Sequence, residues 1–104
     1  MSGTCEPLQE GQILNNHHNE YPLYHAILYG DKVLTKKLSK RLSCAIKALP
    51  IRVHFSSEHK TQKALDAGIS KDPSLTLEGK VFIEGLLQTE EITQIFQQLL
   101  KNKG

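Results

Sequence analysis

The chain of 104 residues is predicted to form one α/β domain with the element order β-α-β-α-β-β-α. Two short apolar segments, residues 23–30 and 51–55, have the length and composition of strands, and an amphipathic helical pattern lies between them. Residues 72–85 have the composition of a β-hairpin, and a second helical pattern follows it. These observations predict a four-stranded mixed sheet flanked by three helices, with a right-handed parallel crossover between the first two strands.

The first strand is predicted at Leu23 to Gly30, where apolar residues run together as they do in strands buried on both faces. Asp31 is a suitable N-cap for the helix that follows, and Pro50 ends that helix after residue 49. Because its apolar residues recur at helical spacing, the helix is predicted to lie on the sheet through one face. That face contains Leu34, Leu38, Leu42, Ala45, Ile46 and Leu49.

The second strand, Ile51 to Phe55, alternates apolar and polar residues and is predicted to follow the helix directly. A short helix is predicted within residues 56–68, with a serine as its cap and Gly68 as its end. The hairpin is predicted to turn at Glu78-Gly79, and Thr89 is predicted to cap the last helix. Four apolar residues of the hairpin are predicted to share one face: Leu75, Leu77, Val81 and Ile83.

Composition bounds the class of protein and its location. The hydrophobic content of 38% argues against disorder throughout, whereas residues 1–22 are polar and are predicted to form a flexible arm before a domain at 23–104. No apolar run approaches the roughly 20 residues that span a bilayer, and no secretory signal precedes the domain. The chain is therefore predicted to be cytoplasmic, with Cys5 and Cys44 as reduced thiols.

The segment "DPSLTLEGKVFIEG", residues 72–85, together with the element order, resembles the thioredoxin-like superfamily and in particular its small, glutaredoxin-sized members. The resemblance covers residues 23–104. It implies that Pro73 is a cis-proline facing the family's active site and that Gly85 ends the hairpin before the last helix. Ser74 stands where the family commonly has threonine.

The same resemblance places a Cys-x-x-Cys pair in the loop between the first strand and the first helix. Here that loop reads "YGDKVLTKK" and contains no cysteine, and Thr35 is its nearest hydroxyl. A hydroxyl does not perform thiol–disulfide exchange, which requires a thiolate attacking sulfur. The sequence thus favours a redox-inactive protein with no catalytic residue and no cofactor.

We therefore expect a non-catalytic thioredoxin-like module that binds another protein, as a monomer or a homodimer. By the resemblance, two loops form a shallow groove for an extended peptide, and backbone groups beside Pro73 pair with the partner strand. The residues of this groove are Gly30, Asp31, Lys32, Val33, Leu34, Asp72, Pro73 and Ser74.

Residues 32–52 carry seven basic side chains and no acidic one. A solvated helix face is one interpretation, and docking of an acidic partner is the functional one. A nucleic-acid accessory role stays open as a second alternative, although no aromatic residues interleave with the lysines to stack bases. Membrane binding is disfavoured because the apolar face of the helix is committed to the sheet. The basic face consists of Lys36, Lys37, Lys40 and Lys47.

A thiol redox protein or sensor that uses Cys44 or Cys5 is the main alternative function, since lysines near Cys44 would favour its thiolate. Five histidines also raise the question of a metal site. His25 and His54 lie on the first two strands and could approach across the sheet. No cysteine or carboxylate falls into ligand spacing with them, so the sequence predicts no metal.

Overall fold

The computed structural model describes residues 6–103. In this range the chain is an α/β protein with three helices and a five-stranded mixed sheet. In chain order the elements are β1 (Ile13–Leu14), β2 (Leu23–Tyr29), α1 (Lys32–Lys47), β3 (Arg52–Glu58), α2 (Thr61–Asp66), β4 (Ser74–Leu77), β5 (Lys80–Glu84) and α3 (Thr89–Lys103).

The strands lie side by side in the order β1-β3-β2-β4-β5. Strands β2 and β3 are parallel, as a crossover through α1 requires, whereas the other three pairs are antiparallel. Ala26 of β2 lies between Phe55 of β3 and Leu77 of β4, so the apolar positions of the three central strands share one register. The predicted parallel unit and the predicted hairpin are both present.

Strand β1 is a fifth strand, and the prediction of four strands is wrong. Residues that were expected in a flexible arm extend the sheet antiparallel to β3, with Ile13 opposite His54. Gly11 donates its backbone N–H to the Phe55 carbonyl at 2.8 Å, and the Phe55 N–H donates to the Gln12 carbonyl at 2.9 Å. A strand of two residues has too few side chains to show a period of two, which explains why the sequence did not reveal it.

Asn15, which follows β1, ties this edge of the sheet to the end of α1. Its side-chain Nδ2 donates to the carbonyls of Ile46, Leu49 and Ile51 at 3.1, 3.2 and 2.9 Å. Asn15 has a φ of 58°, a left-handed conformation that asparagine tolerates better than most residues. One side chain therefore joins three carbonyls between the last turn of α1 and the start of β3.

The core lies between the sheet and the layer formed by α1 and α3. From the sheet it takes alternate residues, among them Tyr24, Ala26, Leu28, Val53, Phe55, Leu75, Leu77 and Ile83. From the helices it takes Leu38, Leu42, Ala45, Ile46, Ile92 and Phe96. Apolar residues that recur at helical spacing and apolar residues that alternate along the strands thus form one core, as the sequence predicts.

Three local details differ from the sequence prediction. The hairpin turns at Glu78 and Gly79 as expected, but a shift in register between Leu75 and Thr76 sets Val81 opposite Thr76 and leaves it 36% exposed. The predicted serine cap of α2 is wrong because the serines belong to β3, and α2 begins after Lys60 without a side-chain cap. Thr89 is the first residue of α3 rather than its cap.

The opposite face of the sheet is covered only at one end. Helix α2 has six residues and none of them is buried. We call the uncovered part the open face, and its side chains include those of Leu23, His25, Arg52, His54 and Val81. No helix within residues 6–103 is long and apolar enough to cross a membrane.

Candidate functional site

The candidate site lies where β2 passes into α1. Gly30 has a φ of 137°, and a Cβ atom built at this position would overlap the Asp72 carboxylate. Glycine is the only residue that allows both this backbone conformation and this approach. The turn after β2 and the loop before β4 are therefore held in direct contact.

Two carboxylates organise this contact. The backbone N–H of Asp31 donates to the Asp72 carboxylate, with its two oxygens at 3.1 and 3.4 Å. The Asp31 carboxylate in turn accepts from the N–H of Val33 at 2.9 Å, which confirms the predicted cap of α1. Asp72 thus holds the turn that places α1, and Asp31 satisfies the first turn of the helix.

The Asp72–Pro73 peptide bond is cis, the state that the resemblance implies for this position. Pro73 and Ser74 are buried: the Pro73 carbonyl accepts from Gly85, and Ser74 pairs with Tyr29 and Glu84 on its two sides. They are supports of the site rather than its surface. In contrast, the backbone N–H and carbonyl of Asp72 make no hydrogen bond with any residue in the range 6–103.

A pocket of about 450 Å³ opens beside Asp72, between the turn after β2, helix α2 and the loop before β4. One wall is apolar and consists of Ala64, Leu65 and Ile69, and Lys60 and Lys71 also line the pocket. His59 lies on the near side, with its Nδ1 atom 2.9 Å from the Gly30 carbonyl oxygen. Such crevices at the carboxyl ends of parallel strands are the usual ligand sites of open α/β sheets.

The two most exposed large apolar side chains of the described chain belong to this end of the molecule. Val33 in the first turn of α1 is 61% exposed, and Leu65 of α2 is 62% exposed. The structure brings together Gly30, Asp31 and Asp72 of the predicted groove. Lys32 and Val33 are exposed in the adjoining first turn of α1, and Leu34 is half-buried. The α2 wall and His59 were not predicted from the sequence, because α2 has no buried face that periodicity could reveal.

The predicted basic face is exposed along α1. None of its lysines forms an ion pair with a carboxylate among residues 6–103. The two arginines of the same span have structural roles instead: Arg41 donates to the Leu86 and Leu87 carbonyls, and Arg52 donates to the Tyr21 carbonyl. Five lysines therefore project unpaired charge: Lys32, Lys36, Lys37, Lys40 and Lys47.

Cys44 does not belong to the candidate site. It lies 13 residues after Asp31 on α1, which corresponds to about 20 Å along the helix axis. The prediction of a reduced thiol is wrong for this residue, because Cys44 is half-buried and disulfide-bonded. Cys5, the other cysteine of the sequence, lies outside the described residues.

Fold and site together define an α/β protein with a pocket at the carboxyl ends of its two parallel strands. No protein-family model, no curated protein and no solved structure matches the chain. Its function is therefore inferred from the residues of the site.

Proposed function

We propose that this protein is a non-catalytic, thioredoxin-like interaction module that binds an extended segment of a partner protein beside Asp72. The strand order β3-β2-β4-β5, with β2 and β3 parallel and β4 and β5 antiparallel, supports the thioredoxin-like assignment. The contact between the loop before β4 and the start of α1 supports it as well.

The observation that carries the proposal is the unpaired backbone of Asp72. A donor and an acceptor on one residue are what an extended chain needs to form a ladder with a loop or strand edge. The pocket next to them has an apolar wall, so a side chain of the bound segment has a place to be buried. Backbone pairing would supply affinity, and the pocket would supply selectivity.

The charge of α1 points to an acidic partner. The five unpaired lysines extend from Lys32 beside the pocket to Lys47, about 22 Å further along the helix. Unpaired surface charges of one sign raise association rates with an oppositely charged partner and make binding sensitive to salt. An acidic segment bound beside Asp72 would therefore continue along α1.

A binding role agrees with the chemistry that the site offers. The segment from Gly30 to Lys37 contains no cysteine, and the carboxylates of Asp31 and Asp72 are both engaged by backbone N–H groups. His59 contacts the Gly30 carbonyl. Thr61 and Ser70 also line the pocket, but neither forms a hydrogen bond with His59. These groups position a backbone rather than form a nucleophile–base pair.

Selection from a displayed library of unstructured peptides tests the proposal. We expect peptides rich in aspartate and glutamate with one apolar residue to be enriched. Val33→Glu and Leu65→Glu should each abolish their binding, because both add a negative charge beside the pocket. Leu23→Glu is the matched control: Leu23 is 39% exposed, but it lies on the open face and should leave binding intact. Equal loss in all three variants would refute the assigned site.

Charge reversal tests the role of α1 separately. A Lys36→Glu/Lys40→Glu/Lys47→Glu variant should weaken binding of acidic peptides by about tenfold or more and flatten its salt dependence. A single-stranded oligonucleotide that competes with the peptide at equal charge would instead favour the nucleic-acid alternative. Unchanged affinity in the triple variant would remove the basic face from the proposal.

The redox alternative rests on one specific observation, the disulfide bond at Cys44. If the protein is a thiol sensor, reduction should change peptide affinity. If it is a constitutive interaction module, the reduced and oxidised forms should bind alike, because Cys44 lies far from the pocket. Peptide binding measured with and without reductant, together with a count of free thiols, separates the two.

A further inference from the structure

Two histidines lie side by side on the open face, away from the proposed peptide site. His25 of β2 and His54 of β3 are opposite each other in the parallel register, and their ring centroids are 5.4 Å apart with planes inclined by 62°. His25 is exposed and His54 is half-buried. Both imidazoles therefore project from neighbouring strands on the same side of the sheet and are open to solvent.

Two of the other described histidines have ring nitrogens that are engaged by neighbouring groups, whereas His17 only contacts the ring of His18. His59 contacts the Gly30 carbonyl, and His18 lies 3.5 Å from the Glu20 carboxylate and stacks on Tyr21. The rings of His25 and His54 contact each other and have no hydrogen bond with any residue in the range 6–103. Their nitrogens can therefore accept a hydrogen bond or bind a metal ion.

The spacing of the two rings matches chelation of a tetrahedral ion. A zinc–nitrogen bond of about 2.0–2.1 Å sets the metal about 3.2 Å from each ring centroid, so a tetrahedral angle gives centroids about 5.2 Å apart. A right angle, which square-planar copper prefers, would give about 4.5 Å. The observed separation of 5.4 Å is close to the tetrahedral value.

A carboxylate also contacts the backbone of one of the two histidines. Glu78 follows β4, and its Oε2 atom accepts from the backbone N–H of His25 at 2.6 Å. The negative charge favours a cation at this position on the sheet. The part of the chain that the structure describes holds no group of three or more side chains spaced for a metal ion, so solvent must complete the coordination.

We propose that His25 and His54 form a two-histidine binding site for a divalent ion that prefers imidazole nitrogen, with Zn²⁺ as the best-fitting probe. This site is separate from the peptide site and does not depend on the proposed function. It differs from the sequence prediction of no metal, which relied on spacing along the chain. The register of β2 and β3 brings together two residues that are far apart in sequence.

Titration calorimetry of the untagged full chain with zinc chloride tests the proposal. We expect one Zn²⁺ per chain, and His25→Ala or His54→Ala should each weaken binding by at least about tenfold, because the second imidazole no longer binds as part of a chelate. The double variant His25→Ala/His54→Ala should weaken Zn²⁺ binding little more than either single variant does. Mg²⁺, which prefers oxygen ligands, should not bind.

The matched control is His17→Ala/His18→Ala, which removes the other adjacent histidine pair and should leave Zn²⁺ affinity unchanged. Imidazole NMR signals of the native chain provide a readout without any substitution, and those of His25 and His54 should shift together on adding Zn²⁺. Loss of affinity in the His17/His18 variant, shifts confined to other histidines, or no binding at all would overturn the proposal.

Discussion

The two faces of the central strands differ although the same strands form both. On the face under α1 and α3, residues such as Val53 and Phe55 are almost wholly buried. Their neighbours in sequence, His54 and Ser56, point to the other face and are only half-buried. Because side chains alternate along a strand, one strand contributes to folding with one set of residues and leaves the other set free.

This difference indicates where function can reside. The covered face joins sheet and helices into one apolar core, so substitutions there change stability first. The open face and the carboxyl end of β2 carry the groups that packing does not use: the histidine pair, the Asp72 backbone and the pocket. Substitutions on the two faces and at the ends of the strands test this division.

Phe55→Ala should produce the largest loss of stability. The side chain is 1% exposed in the centre of the core, and its removal leaves a cavity that typically costs about 3–5 kcal/mol. His54→Ala, one position away on the open face, should change the free energy of unfolding by less than about 0.5 kcal/mol. Urea unfolding of both variants measures these changes in the free energy of unfolding. Similar losses in the two would break the division between the faces.

Gly30→Ala should cost at least about 2 kcal/mol, because it combines backbone strain with displacement of the Asp72 carboxylate. Gly68→Ala is its control. Gly68 also has a positive φ, of 82°, but a Cβ atom there would meet nothing within 4 Å. We expect Gly68→Ala to cost about 1 kcal/mol, from backbone conformation alone. If the two variants unfold at the same urea concentration, the close approach at Gly30 contributes nothing.

Asn15→Ala should destabilise the fold by about 1–3 kcal/mol, since three carbonyls at the end of α1 lose their side-chain donor. Asn15→Gly would relieve the left-handed backbone while also removing the donor. Thermal unfolding should therefore rank the native chain first, Asn15→Gly second and Asn15→Ala last. A native-like melting temperature in both variants would mean that the β1 edge does not stabilise α1.

Much of the fold followed from the sequence because its signals were local. The cap at Asp31 and the turn at Glu78-Gly79 each depend on a few adjacent residues, whereas α1 ends at Lys47, two residues before the end predicted from Pro50. The two-residue strand β1 has no such local signal, so neither the strand nor the contacts of its neighbouring residues with α1 were predicted. Ser43 of α1 is 8% exposed, and Ser39 accepts from the N–H of Leu8 in the segment that precedes β1.

The candidate site was predicted only where the resemblance supplied it. Gly30, Asp31 and Asp72 do meet, whereas Pro73 and Ser74 were expected in the groove and are buried beneath it. The α2 wall of the pocket and the contact of His25 with His54 depend on tertiary placement. Spacing along the chain does not encode which strands become neighbours, so neither could be read from the sequence.

Hydrogen exchange at the Asp72 amide reports directly whether a bound peptide pairs with this backbone. In the free protein this N–H has no partner within residues 6–103, so it should exchange rapidly. Adding a selected acidic peptide should slow its exchange by at least about tenfold if the peptide backbone accepts from it. The amides of β5 and the open face should keep their rates. A peptide that binds while the Asp72 amide continues to exchange rapidly would contradict the account.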